Sequence, residues 1–113
     1  MKLANTTRCL SQEILEYCIL HLISKGEINS SDLVEQLIEA QLIEAEGSIY
    51  PLLHCLKSEA WLSTRVEESE GNPPKKYYLL TEAGRKSLEN YAHNWKKLTR
   101  TVQTLQKKSN PIL

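Results

Sequence analysis

The sequence lacks a net charge. Its 113 residues carry 14 Lys and Arg against 14 Asp and Glu, so it shows none of the bulk basicity that marks many nucleic-acid binders. It also lacks a long apolar run. The longest, Cys18 to Ile23, is interrupted by His21 and falls far short of the roughly 18 residues of a membrane helix. No apolar stretch follows Met1, so no secretory signal and no membrane partner are expected. Three cysteines, Cys9, Cys18 and Cys55, form no CxxC pair and read as reduced thiols of a cytoplasmic protein. There is no nucleophile motif, no carboxylate pair and no glycine-rich phosphate loop. The expectation is therefore not an enzyme, with no cofactor and no metal.

What is present is enough for one domain, which typically takes about 100–150 residues. Hydrophobic residues make up 41% and charged residues 25%, a globular rather than a disordered composition. The zero dissolves when the charges are followed along the chain. The balance is +1 over 1–25, −6 over 26–56, −2 over 57–74 and +7 over 75–113. Surface potential follows local charge, so a nucleic-acid partner stays open.

Periodicity divides the chain. Ser11 is placed to cap a first helix whose stripe contains Ile14, Leu15, Cys18, Ile19, Leu22 and Ile23, with Gly26 at its exit. Ser30 or Ser31 caps a second, buried along Leu33, Val34, Leu37 and Ile38. The pattern loses phase around Gln41, and Gly47 introduces a third helix with Ile49, Leu52, Leu53, Leu56 and Ala60 at three-or-four spacing. Pro51 is tolerable there only near the helix start. The period then falls to 2 over Leu62–Glu67 and Lys76–Leu80, a hairpin around the turn Ser69-Glu70-Gly71-Asn72-Pro73-Pro74. Thr81 caps a long last helix, in which Leu88, Tyr91, Trp95, Leu98, Val102 and Leu105 recur at heptad spacing. About 28 helical residues reach roughly 42 Å, more than so small a domain covers, and pairing with a second copy is the economical use. The fold expected is mainly α with a small β-hairpin (α+β). It is a winged helix-turn-helix over 1–80, a dimerisation helix over 81–108 and a disordered tail over 109–113, the third helix being the one that reads DNA.

Two stretches carry a resemblance. Gly47-Ser48-Ile49-Tyr50-Pro51-Leu52-Leu53-His54-Cys55-Leu56-Lys57 and Asn72-Pro73-Pro74-Lys75-Lys76-Tyr77-Tyr78-Leu79-Leu80-Thr81-Glu82-Ala83-Gly84 resemble the recognition-helix and wing motifs of the PadR family of transcriptional regulators. The short tail resembles the subfamily with a single C-terminal helix. The resemblance implies a homodimeric repressor on a double-stranded DNA operator. It implies DNA contacts at Ser48, where a hydroxyl and free amides meet a phosphate or base edge, and at His54, Lys57 and the wing lysines Lys75 and Lys76. Tyr50 is either a phosphate contact or a packing residue. Ser30 and Ser31 hold a phosphate or simply cap their helix. Trp95 matches a tryptophan that drug-responsive members place at the dimer centre. With Tyr91 and Leu98 it is either heptad core or the site of a planar aromatic effector. Trp61 is expected as a core anchor at the start of the hairpin.

The sequence departs from the family pattern in two places. Cys55 stands where a basic residue is usual, and Lys75-Lys76 replaces Arg-Lys, keeping charge but losing the planar fork. Glu67, Glu68 and Glu70 on the first wing strand would repel a DNA backbone on that side. The alternatives are a winged-helix protein-interaction module, or a regulator with weak DNA binding that responds to redox through Cys9, Cys18 or Cys55, or to metal through Cys18 and His21 or His54 and Cys55.

Overall fold

The structure is a computed structural model, and it describes residues 10–108. The expected tail at 109–113 and Cys9 lie outside the described residues. In chain order the elements are α1 (Leu10–Ser24), β1 (Ile28–Asn29), α2 (Ser30–Glu39), a 3-10 turn (Glu46–Ser48), α3 (Tyr50–Ser58), β2 (Leu62–Ser69), β3 (Asn72–Leu80) and α4 (Glu82–Lys108).

The first three helices pack their apolar stripes into one core, with Ile19, Leu20, Leu33, Leu37, Ile49 and Leu53 at its centre. Local chemistry explains most of the boundaries. Gly26 follows α1 with φ +146°, a conformation that favours glycine. Pro51 sits in the first turn of α3, where its missing amide has no helical acceptor to lose.

Several boundaries differ from the expectation. Ser11 lies inside α1 rather than before it. Neither serine caps α2. Asn29 does, its side-chain oxygen accepting from the Asp32 amide at 2.8 Å while its Nδ2 donates to Asp32 Oδ2 at 3.1 Å. Ile38 is 41% exposed, since α2 turns it off the buried side. Ala60 is not helical. With φ +65° it closes α3 in the left-handed conformation, its amide bonded to Lys57 O and the next, Trp61 N, to Leu56 O. Gln41, φ +62°, ends α2 the same way, with Leu42 N bonded to Leu37 O.

The hairpin is longer than its alternation suggested, and it belongs to a three-stranded antiparallel sheet ordered β1-β3-β2. Leu62 faces Leu80, Thr64 faces Tyr78 and Val66 faces Lys76 on the side continuous with the core; Arg65 faces Tyr77 and Glu67 faces Lys75 on the other. At the sheet's base, Thr81 joins wing to last helix. Its Oγ1 donates to Ala60 O at 2.6 Å and accepts from the Gly84 amide at 2.9 Å.

The 27 residues of α4 span about 40 Å in a molecule 65 Å long. Leu88 and Tyr91 pack on the core, whereas Trp95, Val102 and Leu105 are 42%, 43% and 58% exposed.

Candidate nucleic-acid interface and aromatic groove

The outer side of α3 is polar and exposed. Tyr50, His54 and Lys57 lie at helical spacing on it, while Leu52, Leu53 and Leu56 hold the inner side in the core. Tyr50 is pinned, its hydroxyl donating to Glu46 Oε1 at 2.9 Å. That acceptor, and the charge it carries, raises the Tyr50 phenol above its ordinary value. Ser48 does not offer what the sequence suggested. It precedes α3 in the 3-10 turn, and both its amide and its hydroxyl turn back onto Ala45 O, at 3.3 and 2.7 Å. Ser30 and Ser31 occupy the first turn of α2, half-buried and exposed respectively. Cys55 is exposed and lines a groove with Gln12, Leu15 and Pro51, on the α1 side of the helix.

The wing separates its two lysines. Adjacent strand residues point to opposite faces, so Lys75 shares a face with Glu67 and Arg65, and Lys76 lies on the other, its Nζ 5.5 Å from the Tyr78 ring centre. Arg65 is spoken for. Its Nε donates to Glu27 Oε1 at 2.7 Å, its Nη2 to Glu27 Oε2, and its guanidinium lies 4.5 Å from the Tyr77 ring centre.

A second feature lies between α1 and α4. Glu13, Ile14, Tyr17, Trp61, Ser87, Asn90, Tyr91, Asn94, Trp95 and Leu98 line an open cavity of about 300 Å³. Tyr91 organises it. Its ring stacks parallel to Tyr17 at 6.2 Å, meets Trp61 edge-on at 6.2 Å, and its hydroxyl donates to Glu16 Oε1 at 2.7 Å. Glu16 is fully buried. Trp61 thus packs on the core, as expected, and also forms a wall of the cavity. Tyr17, Glu16, Asn90 and Asn94 were missed as site residues because each reads in sequence as an ordinary helix position.

Burial raises the Cys18 thiol above its usual range, which disfavours the reactive thiolate. Among the described residues no group of three His, Cys, Asp or Glu is arranged to hold a metal ion, and no helix is long and apolar enough to cross a membrane.

Three helices, a β-hairpin wing and an exposed polar face on the third helix define the winged helix-turn-helix class. The chain belongs to the transcriptional regulator PadR-like family, whose model matches residues 19–90. It is 34% identical over 85 residues to the negative transcriptional regulator PadR of Bacillus subtilis (strain 168), over 73% of this chain and 44% of that protein. The chain therefore spans less than half the length of that relative. Among solved structures, a PadR-like transcription factor from Bacteroides fragilis shares 40% identity at a TM-score of 0.77, covering 89% of this chain and 98% of that one. The Bacillus subtilis PadR in complex with operator DNA shares 32% identity at a TM-score of 0.63, over 70% of this chain and 46% of that one. The family is one of transcriptional regulators, not of enzymes.

Proposed function

We propose that the chain is a cytoplasmic, homodimeric repressor that binds an operator in double-stranded DNA, with α3 in the major groove and the wing on the backbone or minor groove. The observation that carries this reading is the outer side of α3, where Tyr50, His54 and Lys57 stand exposed on a helix whose other side is core. The operator complex of the Bacillus subtilis relative supports it. Leu88, Tyr91, Trp95, Leu98, Val102 and Leu105 form the seam along which α4 meets a second copy, because its distal apolar residues are exposed in the single chain. The two α3 helices then fall on half-sites about 34–36 Å apart. The aromatic walls of the cavity at Tyr91 and Trp95, with Leu98 beside them, suit a planar aromatic effector that releases the DNA.

Protection mapping on the DNA upstream of its own gene tests the reading. A two-part footprint at low salt is the expected result; no footprint from a confirmed dimer rejects it. One observation favours a protein-interaction module instead, namely that Glu67 and Glu68 are exposed on β2 and Glu70 in the turn that follows it. Unchanged duplex binding after replacing both Lys75 and Lys76 by Ala would select that alternative.

A further inference from the structure

The sheet carries a cation that does not face outward as free charge. Arg65 stands on β2, at one edge of the order β1-β3-β2, and Glu27 stands one residue before β1, at the other edge. Tyr77, on the central strand, is the register partner of both Arg65 and Asn29. Side chains alternate along a strand, so Glu27, Asn29, Tyr77 and Arg65 share the face turned away from the core. The guanidinium crosses this face, lies over the Tyr77 ring at 4.5 Å, and grips both oxygens of Glu27 from Nε and Nη2. It also reaches Glu67 Oε1 at 3.5 Å.

We propose that Arg65 is a wing-positioning residue, fastened across the sheet to Glu27, and not a phosphate contact. This rests on the DNA-binding reading above. The wing stands on the core by one hairpin, and two strands alone are marginally stable. β1 adds only two residues of pairing. The Arg65–Glu27 contact adds a covering link from the far strand to the turn that leads into α2, fixing the angle at which the wing's lysines meet DNA relative to α3. An ordinary exposed ion pair contributes little. This one is bidentate and stacked, the arrangement in which an arginine cannot be replaced by lysine. The hydrogen bond from Arg65 holds the Glu27 carboxyl below its ordinary range.

Charge and geometry predict opposite signs, which makes the test sharp. Removing an acidic charge from a DNA-binding surface by Glu27→Gln would tighten binding if only the field mattered. Loss of the fastening weakens it. Affinity for a duplex from the upstream region is measured for wild type, Glu27→Gln, Arg65→Lys, Arg65→Gln and the double variant, each across a salt series. The two side chains are 34% and 41% exposed, so the core is untouched. Expected are a three- to tenfold loss for Glu27→Gln and for Arg65→Lys, the latter at unchanged net charge. The double variant should bind within twofold of Arg65→Gln, and all should share the wild-type slope of log K against log salt. Unchanged or tighter binding by Glu27→Gln overturns the fastening and leaves the DNA reading standing. So does a slope reduced by about 2 per dimer in Arg65→Gln, since that marks one lost phosphate contact per protomer. A wild-type dimer without duplex affinity at low salt overturns the DNA reading, and the positioning role with it.

Discussion

Two small residues at the foot of the wing occupy each other's natural places, and their exchange should act in opposite directions. Gly84, in the first turn of α4, is buried, and a Cβ built there meets Trp61 O at 2.2 Å and Leu80 Cδ1 at 2.8 Å. Alanine in a helix interior is worth about 1 kcal/mol over glycine. The clash outweighs this because a backbone carbonyl, itself bonded to the Thr81 amide at 3.1 Å, cannot swing aside as a side-chain tip can. Overpacking of this kind costs about 1–3 kcal/mol, and Gly84→Ala should lower the urea midpoint with little change in the denaturant slope. Ala60 presents the reverse case, with φ +65° at the end of α3. The left-handed conformation costs a residue with a Cβ about 1–2 kcal/mol, and glycine forfeits about 0.5–1 kcal/mol through the freedom of its unfolded state. Ala60→Gly should therefore stabilise by up to about 1 kcal/mol, read from the same urea titration; a lower midpoint rejects the strain. Tyr91→Phe isolates a third contribution. It keeps the ring that stacks on Tyr17 and abuts Trp61 but deletes the hydrogen bond to the buried Glu16. The expected loss is about 1–3 kcal/mol, the range for removing one partner of a buried hydrogen bond.

Elements whose cause is repetitive were legible from the sequence, and those whose cause is a single distant partner were not. Apolar stripes at helical spacing marked α1, α2 and α3, alternation marked β2 and β3, and Thr81 was placed at the start of α4 by its hydroxyl. A strand of two residues, Ile28–Asn29, is too short to show alternation; only its pairing with Tyr77 and Tyr78 makes it a strand. Non-glycine residues at Gln41 and Ala60 hid the two helix ends they form, because the usual glycine signal is missing. The contact between Arg65 and Glu27 spans 38 residues of sequence, beyond any local pattern. Of the candidate site, the outer side of α3 and the seam of α4 were readable. The wing's division of its lysines between two faces needed the register, and the cavity needed α1 laid against α4. For α4 the consequence is direct. Its proximal seam residues pack on the core, so in the proposed dimer the distal ones are expected to decide assembly. Replacing both Val102 and Leu105 by Glu should leave the melting of the winged domain intact while shifting the species from dimer to monomer in sedimentation at micromolar concentration. A dimer of undiminished stability would remove the distal seam from the interface.

At the scale of the whole molecule, neutrality conceals a polarised chain, with a balance of −6 over 26–56 and +7 over 75–113. Solubility depends on the sum, but attraction to a polyanion depends on which cations reach it. In a two-fold dimer each contact is made twice, so about six phosphate contacts give a slope of log K against log salt near −5. The wing's register adds a constraint that charge counting does not contain. Lys75 stands opposite Glu67 on the face shared with Arg65, and Lys76 opposite Val66 on the face continuous with Tyr78 and the core. A single DNA strand running past the wing meets one of these faces. One of Lys75→Ala and Lys76→Ala should therefore reduce the slope by about 1.8, two contacts at 0.9 each, while the other leaves it nearly unchanged. Lys75 carries the handicap of a carboxylate, Glu67, directly across the ladder on the face that also holds the Arg65–Glu27 pair. Lys76 has Val66 across from it and its Nζ 5.5 Å from the Tyr78 ring centre, with no carboxylate opposite, so its charge is the one expected to reach DNA. The larger loss of slope is expected for Lys76→Ala. Equal losses would mean that the backbone straddles the wing's edge, and a larger loss for Lys75→Ala would place the DNA on the opposite face.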